Sequence, residues 1–254
     1  MDDGISSFWG PVTSTIECCE KNYVYSSYIA EFFNTISNVP GIILALIGLL
    51  NALRQHLRRG LVLFTYQTWH WQLVICCIML HCNAHQHSDE TPMVWEMLLY
   101  LYILYSPDWH YKSTMPTFIF LYGAAFGVLH HLIGFNTGFK VHYMLLCLLC
   151  IPRMYKYYIH INDVNAKRLA KLYLLTLLLG SICWFVDREF CKKFSSWDFN
   201  PQGHAFWHIF MGFNSYLANT FLMFCRAQQL GWDPKVARFM GFLPYAKIHK
   251  SKTQ

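Results

Sequence analysis

Two histidines four residues apart, His204 and His208, open the last apolar stretch of the chain. On a helix that spacing puts both imidazoles on one face, a turn apart, where they can share a metal ion. The alternative is one interfacial histidine and one satisfied interior histidine. No glutamate lies between them as in a zinc protease, so a general base has to come from elsewhere. A second polar group, His81, His85, His87, Ser88, Asp89 and Glu90, precedes Thr91-Pro92. Asp89 is expected to face His204 and His208 as a partner of metal-held water or as an outer carboxylate. Ser88 or Asp89 also suits a helix cap, with Pro92 near the first turn. A third group gathers Glu17, Glu20, Asn22 and Glu31 beside the first apolar run, with only Lys21 to offset the acids. Such oxygen density suits a hard cation, calcium above all, or else a solvated acidic rim. Glu31 favours the cation, because it begins an apolar helix and a buried carboxylate wants a cation or a proton.

The elements that must position these groups are membrane helices. The 254 residues are 55% hydrophobic, 18% aromatic and only 13% charged, too little charge to coat a water-facing surface. Uncharged runs at 32–53, 60–88, 113–139 and 199–225 are each long enough to cross about 30 Å of hydrocarbon. The expected fold is all-α, a multi-pass bundle of seven transmembrane helices at about 33–53, 62–82, 92–106, 115–134, 139–157, 170–187 and 204–225, forming one domain over 1–254. With the N-terminal segment 1–31 luminal, 15 of the 20 Lys and Arg fall on the cytosolic side, as the positive-inside rule requires. The net charge of +6 is then topological, and no nucleic acid is expected as a partner. No cleavable signal peptide is visible in the acidic, polar first 30 residues, so the first span acts as the insertion signal. Residues 226–254 read as a solvated cytosolic tail.

Most of the ten cysteines fall inside spans, where a thiol is a small buried apolar group. Cys19 and Cys191 fall instead on the non-cytosolic side, where a disulfide can persist; sequence alone leaves the pairing open. Of the remaining intramembrane acids, Glu96 is expected to face the bundle interior, and Asp187, followed by Arg188, reads as a surface ion pair. Trp95, Trp109, Trp184, Trp197 and Trp207 read mostly as an interfacial belt.

The chain resembles the alkaline ceramidases, in particular their plant-type branch. The likeness covers residues 5–55 and 88–250. It is carried by Ile16-Glu-Cys-Cys-Glu-Lys-Asn-Tyr23, Tyr28-Ile-Ala-Glu-Phe-Phe-Asn-Thr-Ile-Ser-Asn38, Ser88-Asp-Glu-Thr-Pro-Met93 and Gly203-His-Ala-Phe-Trp-His208. The resemblance implies a zinc pair at His204 and His208 and an active-site aspartate at Asp89. It implies a calcium site at Glu17, the backbone of Cys18, Glu20, Asn22 and Glu31, and a luminal disulfide between Cys19 and Cys191. It further implies hydrolysis of the ceramide amide to a sphingoid base and a fatty acid, in the endoplasmic reticulum or Golgi membrane; it specifies no oligomeric state.

The second span departs from the family. Relatives carry something like Leu-Ala-Ile-Gly-Ser-Met-Leu-Tyr-His-Ala-Thr-Leu-Gln, which implies a third zinc histidine and an active-site serine. Here residues 68–83 read Thr-Trp-His-Trp-Gln-Leu-Val-Ile-Cys-Cys-Ile-Met-Leu-His-Cys-Asn. Pairing the third base of each codon with the first two of the next recovers the family segment almost whole, although Ser is not permitted at the serine position. Residues from about 56 to 86 are therefore expected to be out of frame. His81, near the right end of the span, is taken as the third ligand, with His85 next; neither matches the motif. The rival expectations are a catalytically impaired family member and a seven-helix receptor or sensor with a structural metal.

Overall fold

The structure is a computed structural model, and it describes residues 8, 19–29, 31–55, 87–105, 114–133, 136–194 and 200–249. It is mostly helical. The helices are α1 (Phe32–Ile36), α2 (Val39–Arg54), α3 (His87–Tyr105), α4 (Thr114–Ile133), α5 (Asn136–His160), α6 (Val164–Phe194) and α7 (Gly203–Gln229), followed by strands β1 (Asp233–Phe239) and β2 (Leu243–His249). α1 with α2, α4 and α7 follow the uncharged runs, whereas α6 extends past its expected span, 170–187, at both ends through charged residues; the expected second span, 62–82, lies outside the described residues. Among the described residues two helices are long and apolar enough to cross a membrane, Phe32–Arg54 and Val164–Cys191; Met93–Tyr105 and Thr114–His130 are shorter apolar helices.

The chain divides into two compact units, 84–160 and the remainder. In the first, Val94 and Leu98 of α3, Ile119 of α4, and Phe139 and Leu146 of α5 form a buried cluster. Gly123 lets the Trp95 ring lie against α4: a Cβ there would stand 2.9 Å from the indole. α5 runs through Pro152 without ending.

In the second unit α7 is the central helix, buried along most of its length from Asn214 to Cys225. Small residues let its neighbours approach. A Cβ on Gly212 would stand 2.9 Å from Cα of Gly41 on α2, and one on Gly180 of α6 would meet Phe210 at 3.3 Å. The polar groups this buries find helix carbonyls: Asn214 Nδ2 donates to Tyr173 O (2.9 Å) and Thr220 Oγ1 to Tyr216 O (2.9 Å). α6 starts on Asp163, whose Oδ1 accepts from Ala166 N at 2.7 Å, an N-cap that satisfies one orphan donor of the first turn. Between α1 and α2 the helix breaks at 37–38, where Pro40 withholds the N–H that would have continued it.

The segment after α7 is not the solvated tail expected. β1 and β2 pair antiparallel, Asp233 opposite His249 and Phe239 opposite Leu243. The hairpin turns at Met240 and Gly241, both at positive φ. It docks on α2 and α7, with Leu243 buried against Leu44 and Tyr216. Side chains far away in sequence give it a surface to fold on.

The close approach at Gly212 makes a sharp prediction. Gly212→Ala forces the Gly41 backbone away and costs about 1–3 kcal/mol. The measured outcome is a lower Tm in detergent, and an unchanged Tm contradicts the packing described.

Candidate functional site

The histidine pair sits in the first two turns of α7. His204 and His208 are both buried, with 8% of each exposed, and their ring centroids lie 4.8 Å apart in an edge-to-face arrangement. Trp207 packs on both rings, at 5.2 Å from His204 and 4.8 Å from His208. It thus forms a wall of the pair. The spacing carries the signal for this, since position 207 is three residues from one histidine and adjacent to the other. Both ring nitrogens of His204 and Nε2 of His208 are buried without a hydrogen-bond partner among the described residues. Such groups cost free energy unless something polar completes them. A metal ion, which takes imidazole lone pairs directly, fits that requirement. Among the described residues no cluster of three metal-ligating side chains forms. His81 and His85, the expected sources of a third nitrogen, lie outside the described residues. Asp89 lies in the first turn of α3, in the other compact unit.

What fixes the start of α7 is a carboxylate that the sequence disguised. Asp187 is not part of a surface ion pair: only 3% of it is exposed. Its carboxylate lies beside the backbone N–H groups of His204, Cys19 and Gly203. Gln202, the residue before the helix, has φ of 53° and no capping side-chain bond of its own, so Asp187 supplies the cap from α6. Gly203 is what allows it that close, because a Cβ there would meet Cys183 O at 2.9 Å and Asp187 Cβ at 3.0 Å. Arg188 instead lies over the Trp184 ring, 5.6 Å from its centroid.

The N-terminal segment is fastened to the same place. Cys19 and Cys191 form a disulfide, with Cα atoms 5.2 Å apart across 172 residues of sequence. Asn200 Nδ2 donates to Cys19 O (2.7 Å), and Asn200 Oδ1 accepts from Gln202 N (3.0 Å). The next residue, Glu20, is 6% exposed and caps α1: its two carboxylate oxygens accept from Phe33 N (2.7 Å) and Asn34 N (2.9 Å). Asn34 also donates through Nδ2 to Glu31 Oε2 (2.7 Å), so one residue gathers both carboxylates. Burial pushes the Glu20 carboxyl above its ordinary value, backbone N–H groups of Phe33, Asn34 and Phe32 work against that shift, and the Asp187 charge adds to it. Paired acids held this way fit a hard cation, with carboxylate oxygens as its ligands. Asn22 is half-buried nearby in sequence, and Glu17 and Cys18 lie outside the described residues. Glu96, the other intramembrane acid, is half-buried on α3.

If Asp187 caps α7, removing its oxygens strands buried N–H groups at the helix start. Asp187→Ala costs about 2–4 kcal/mol and Asp187→Asn, which keeps one acceptor, costs less. Thermal unfolding of the two variants checks this; equal and negligible shifts would sink the assignment.

Comparison with known proteins gives the family of the chain. The ceramidase family signature matches residues 10–247. The chain is 68% identical to the alkaline ceramidase of Arabidopsis thaliana over the full length of both proteins. It is 28% identical to alkaline ceramidase 3 of Mus musculus, covering 93% of each chain. It is 29% identical to the alkaline ceramidase of Drosophila melanogaster, covering 81% of this chain and 75% of that one. With its histidine pair and N-terminal motif inside the matched region, the chain belongs to the ceramidase family.

Proposed function

We propose that this protein is a membrane-embedded, zinc-dependent amide hydrolase that cleaves ceramide, with phytoceramide as the plant-type substrate, to a sphingoid base and a fatty acid. The observation that carries this is the buried His204–His208 pair with three unpartnered ring nitrogens, inside a chain 68% identical to an alkaline ceramidase end to end. His204 and His208 hold the zinc, with His81 as third ligand and His85 next in line. Bound there, zinc supplies Lewis acidity that polarises a carbonyl and acidifies water. Asp89 takes the proton of the attacking water and returns it to the departing nitrogen as the amide C–N bond breaks. Trp207 walls the pair on one side, and Asp187 keeps α7 from shifting beneath it.

Membrane residence is supported by the surface. Phe118, Leu121, Leu132, Met144, Leu148, Leu174, Leu178 and Phe185 are all more than half exposed on α4, α5 and α6. In the most apolar stretch of Val164–Cys191 only 11% is buried, so it is no soluble core helix. Water would not tolerate that much apolar surface, and hydrocarbon does. Our reading is seven spans in the endoplasmic reticulum or Golgi, with the N-terminus luminal and the C-terminus cytosolic. A substrate with two acyl chains then enters from the bilayer without being extracted.

Calcium, held by Glu17, the Cys18 carbonyl, Glu20, Asn22 and Glu31, fastens the N-terminal segment to the helix starts. The pH dependence follows from Glu20. Its folded-state value is raised, so without a cation the folded chain holds its proton more tightly than the unfolded chain. Stability is then lost as pH rises through the window above the ordinary value of 4.5. A calcium ion removes that penalty. Added calcium should therefore raise Tm more at neutral pH than at pH near 4.5; an equal rise at both would contradict the site.

A second reading rests on one observation: residues 68–83 carry no family zinc motif. If the segment at about 56–86 is out of frame, the chain as it stands lacks its third ligand and is impaired. Fatty acid release from a short-chain ceramide, measured for this chain and for one with the frame restored, separates the readings. We expect activity chiefly in the restored form. There His204→Ala abolishes it and Asp89→Asn lowers it about 10²–10⁴-fold. Full activity of His204→Ala, or none in any form, overturns the assignment.

A further inference from the structure

The hairpin at the C-terminus reaches deep along the helices it lies on. Leu243 packs on Leu44 and Tyr216, and the Tyr216 hydroxyl donates to Pro244 O at 2.9 Å. At the other end of the strand Ile248 N donates to Gln55 Oε1 (2.7 Å), and Gln55 Nε2 donates to Ala246 O (3.0 Å). The two lengths agree. Leu44 to Gln55 rises about 16 Å along a helix, and Leu243 to Ile248 advances about 16 Å along a strand. β2 thus runs beside α2 from its C-terminal end inward. The tip stands level with residues about 15 Å from Arg54 and Arg226, roughly half the thickness of a hydrocarbon core.

The exposed face of the hairpin grades from charge to hydrocarbon along the same axis. Asp233, Lys235, Lys247 and His249 are exposed at its base. At its tip Phe239 is 36%, Met240 77% and Phe242 73% exposed. A three-residue turn in water selects polar residues, whereas this one offers Met and Phe on either side of Gly241. Arg238, next to the tip, has a stem long enough to turn its guanidinium back toward the base. Part of the β2 backbone edge is covered as well. Tyr216 and Gln55 take the Pro244 and Ala246 carbonyls and the Ile248 N–H, and Pro234 and Pro244 have no N–H to leave bare. Each group paired in this way is one fewer bare donor or acceptor for the strand to carry into lipid.

We propose that the hairpin is a re-entrant anchor: its tip, Phe239 to Phe242, is immersed in the acyl chains of the leaflet on the C-terminal side of α7. Phospholipid hydrocarbon is its partner, and Lys235 and Lys247 stand at the headgroup level. This rests on the membrane residence proposed above, and the test separates the two.

The intact chain is placed in phosphatidylcholine vesicles carrying a diazirine in the acyl chain, and in parallel exposed to a water-soluble diazirine. Adducts are mapped by mass spectrometry, with Leu178 of α6 and Leu132 of α4 as references. The expected result is lipid adducts at Phe239–Phe242 and at both references, with aqueous adducts confined to Lys235, Lys247 and other hairpin-base residues. If the references take the lipid probe while the tip takes only the aqueous probe, or neither, the anchor is overturned and the membrane reading stands. If the references themselves take only the aqueous probe, both fall.

Discussion

A single buried carboxylate organises the functional end of this protein. Asp187 would be a costly group at 3% exposure were it not for the N–H groups of Gly203, His204 and Cys19 that converge on it. The exchange works both ways. The helix start offers unpaired donors and a partial positive charge, and the carboxylate needs both. Because the acid comes from α6 and one donor from the N-terminal segment, satisfying it fixes three parts of the chain against one another. Glu20 repeats the device at α1, again capping a helix from a distant segment. The Cys19–Cys191 disulfide adds a covalent tie between the same two regions.

On this base α7 acts as the shaft of its unit. Gly41 and Gly212 bring α2 and α7 to backbone contact, and Gly180 lets α6 close on the Phe210 and Met211 side chains, which leaves little freedom to slide. A small cavity, about 30 Å³, remains between α2 and α7, lined by Gly41, Leu44, Gly48, Ser215, Tyr216 and Asn219 among others. That is room for a water or so and far too little for lipid, so substrate chains are not accommodated there. One helix therefore carries the histidine pair near its start and the seat of the hairpin farther along. Polar residues in its interior, Asn214 and Thr220, spend their donors on helix carbonyls rather than on chemistry.

Much of this could be read from the sequence because membrane helices announce themselves by what they lack. The uncharged runs bracket α4 as 115–134 against Thr114–Ile133, and the start of α7 as 204 against Gly203. The histidine pair was legible because helical geometry converts a four-residue spacing directly into proximity. Asp187 was not, since its partners are 16 residues and more away and an adjacent arginine offered a simpler account. The hairpin was missed for a similar reason: alternation in residues 233–249 is weak, and its support comes from Gln55 and Tyr216. The place of Trp207 beside two histidines is likewise visible in the sequence. The third ligand stays beyond sequence reasoning for a different cause, because residues 68–83 contain no motif to carry it.

The central claim is that His204 and His208 together bind zinc at the capped start of α7. Zinc K-edge absorption spectroscopy of the purified protein addresses it most directly, since it counts imidazoles around the metal whether or not the chain turns over. The account predicts zinc with at least two imidazole ligands, and one fewer in His208→Ala. A zinc-free protein, or a bound zinc whose imidazole count is untouched by that substitution, would contradict it.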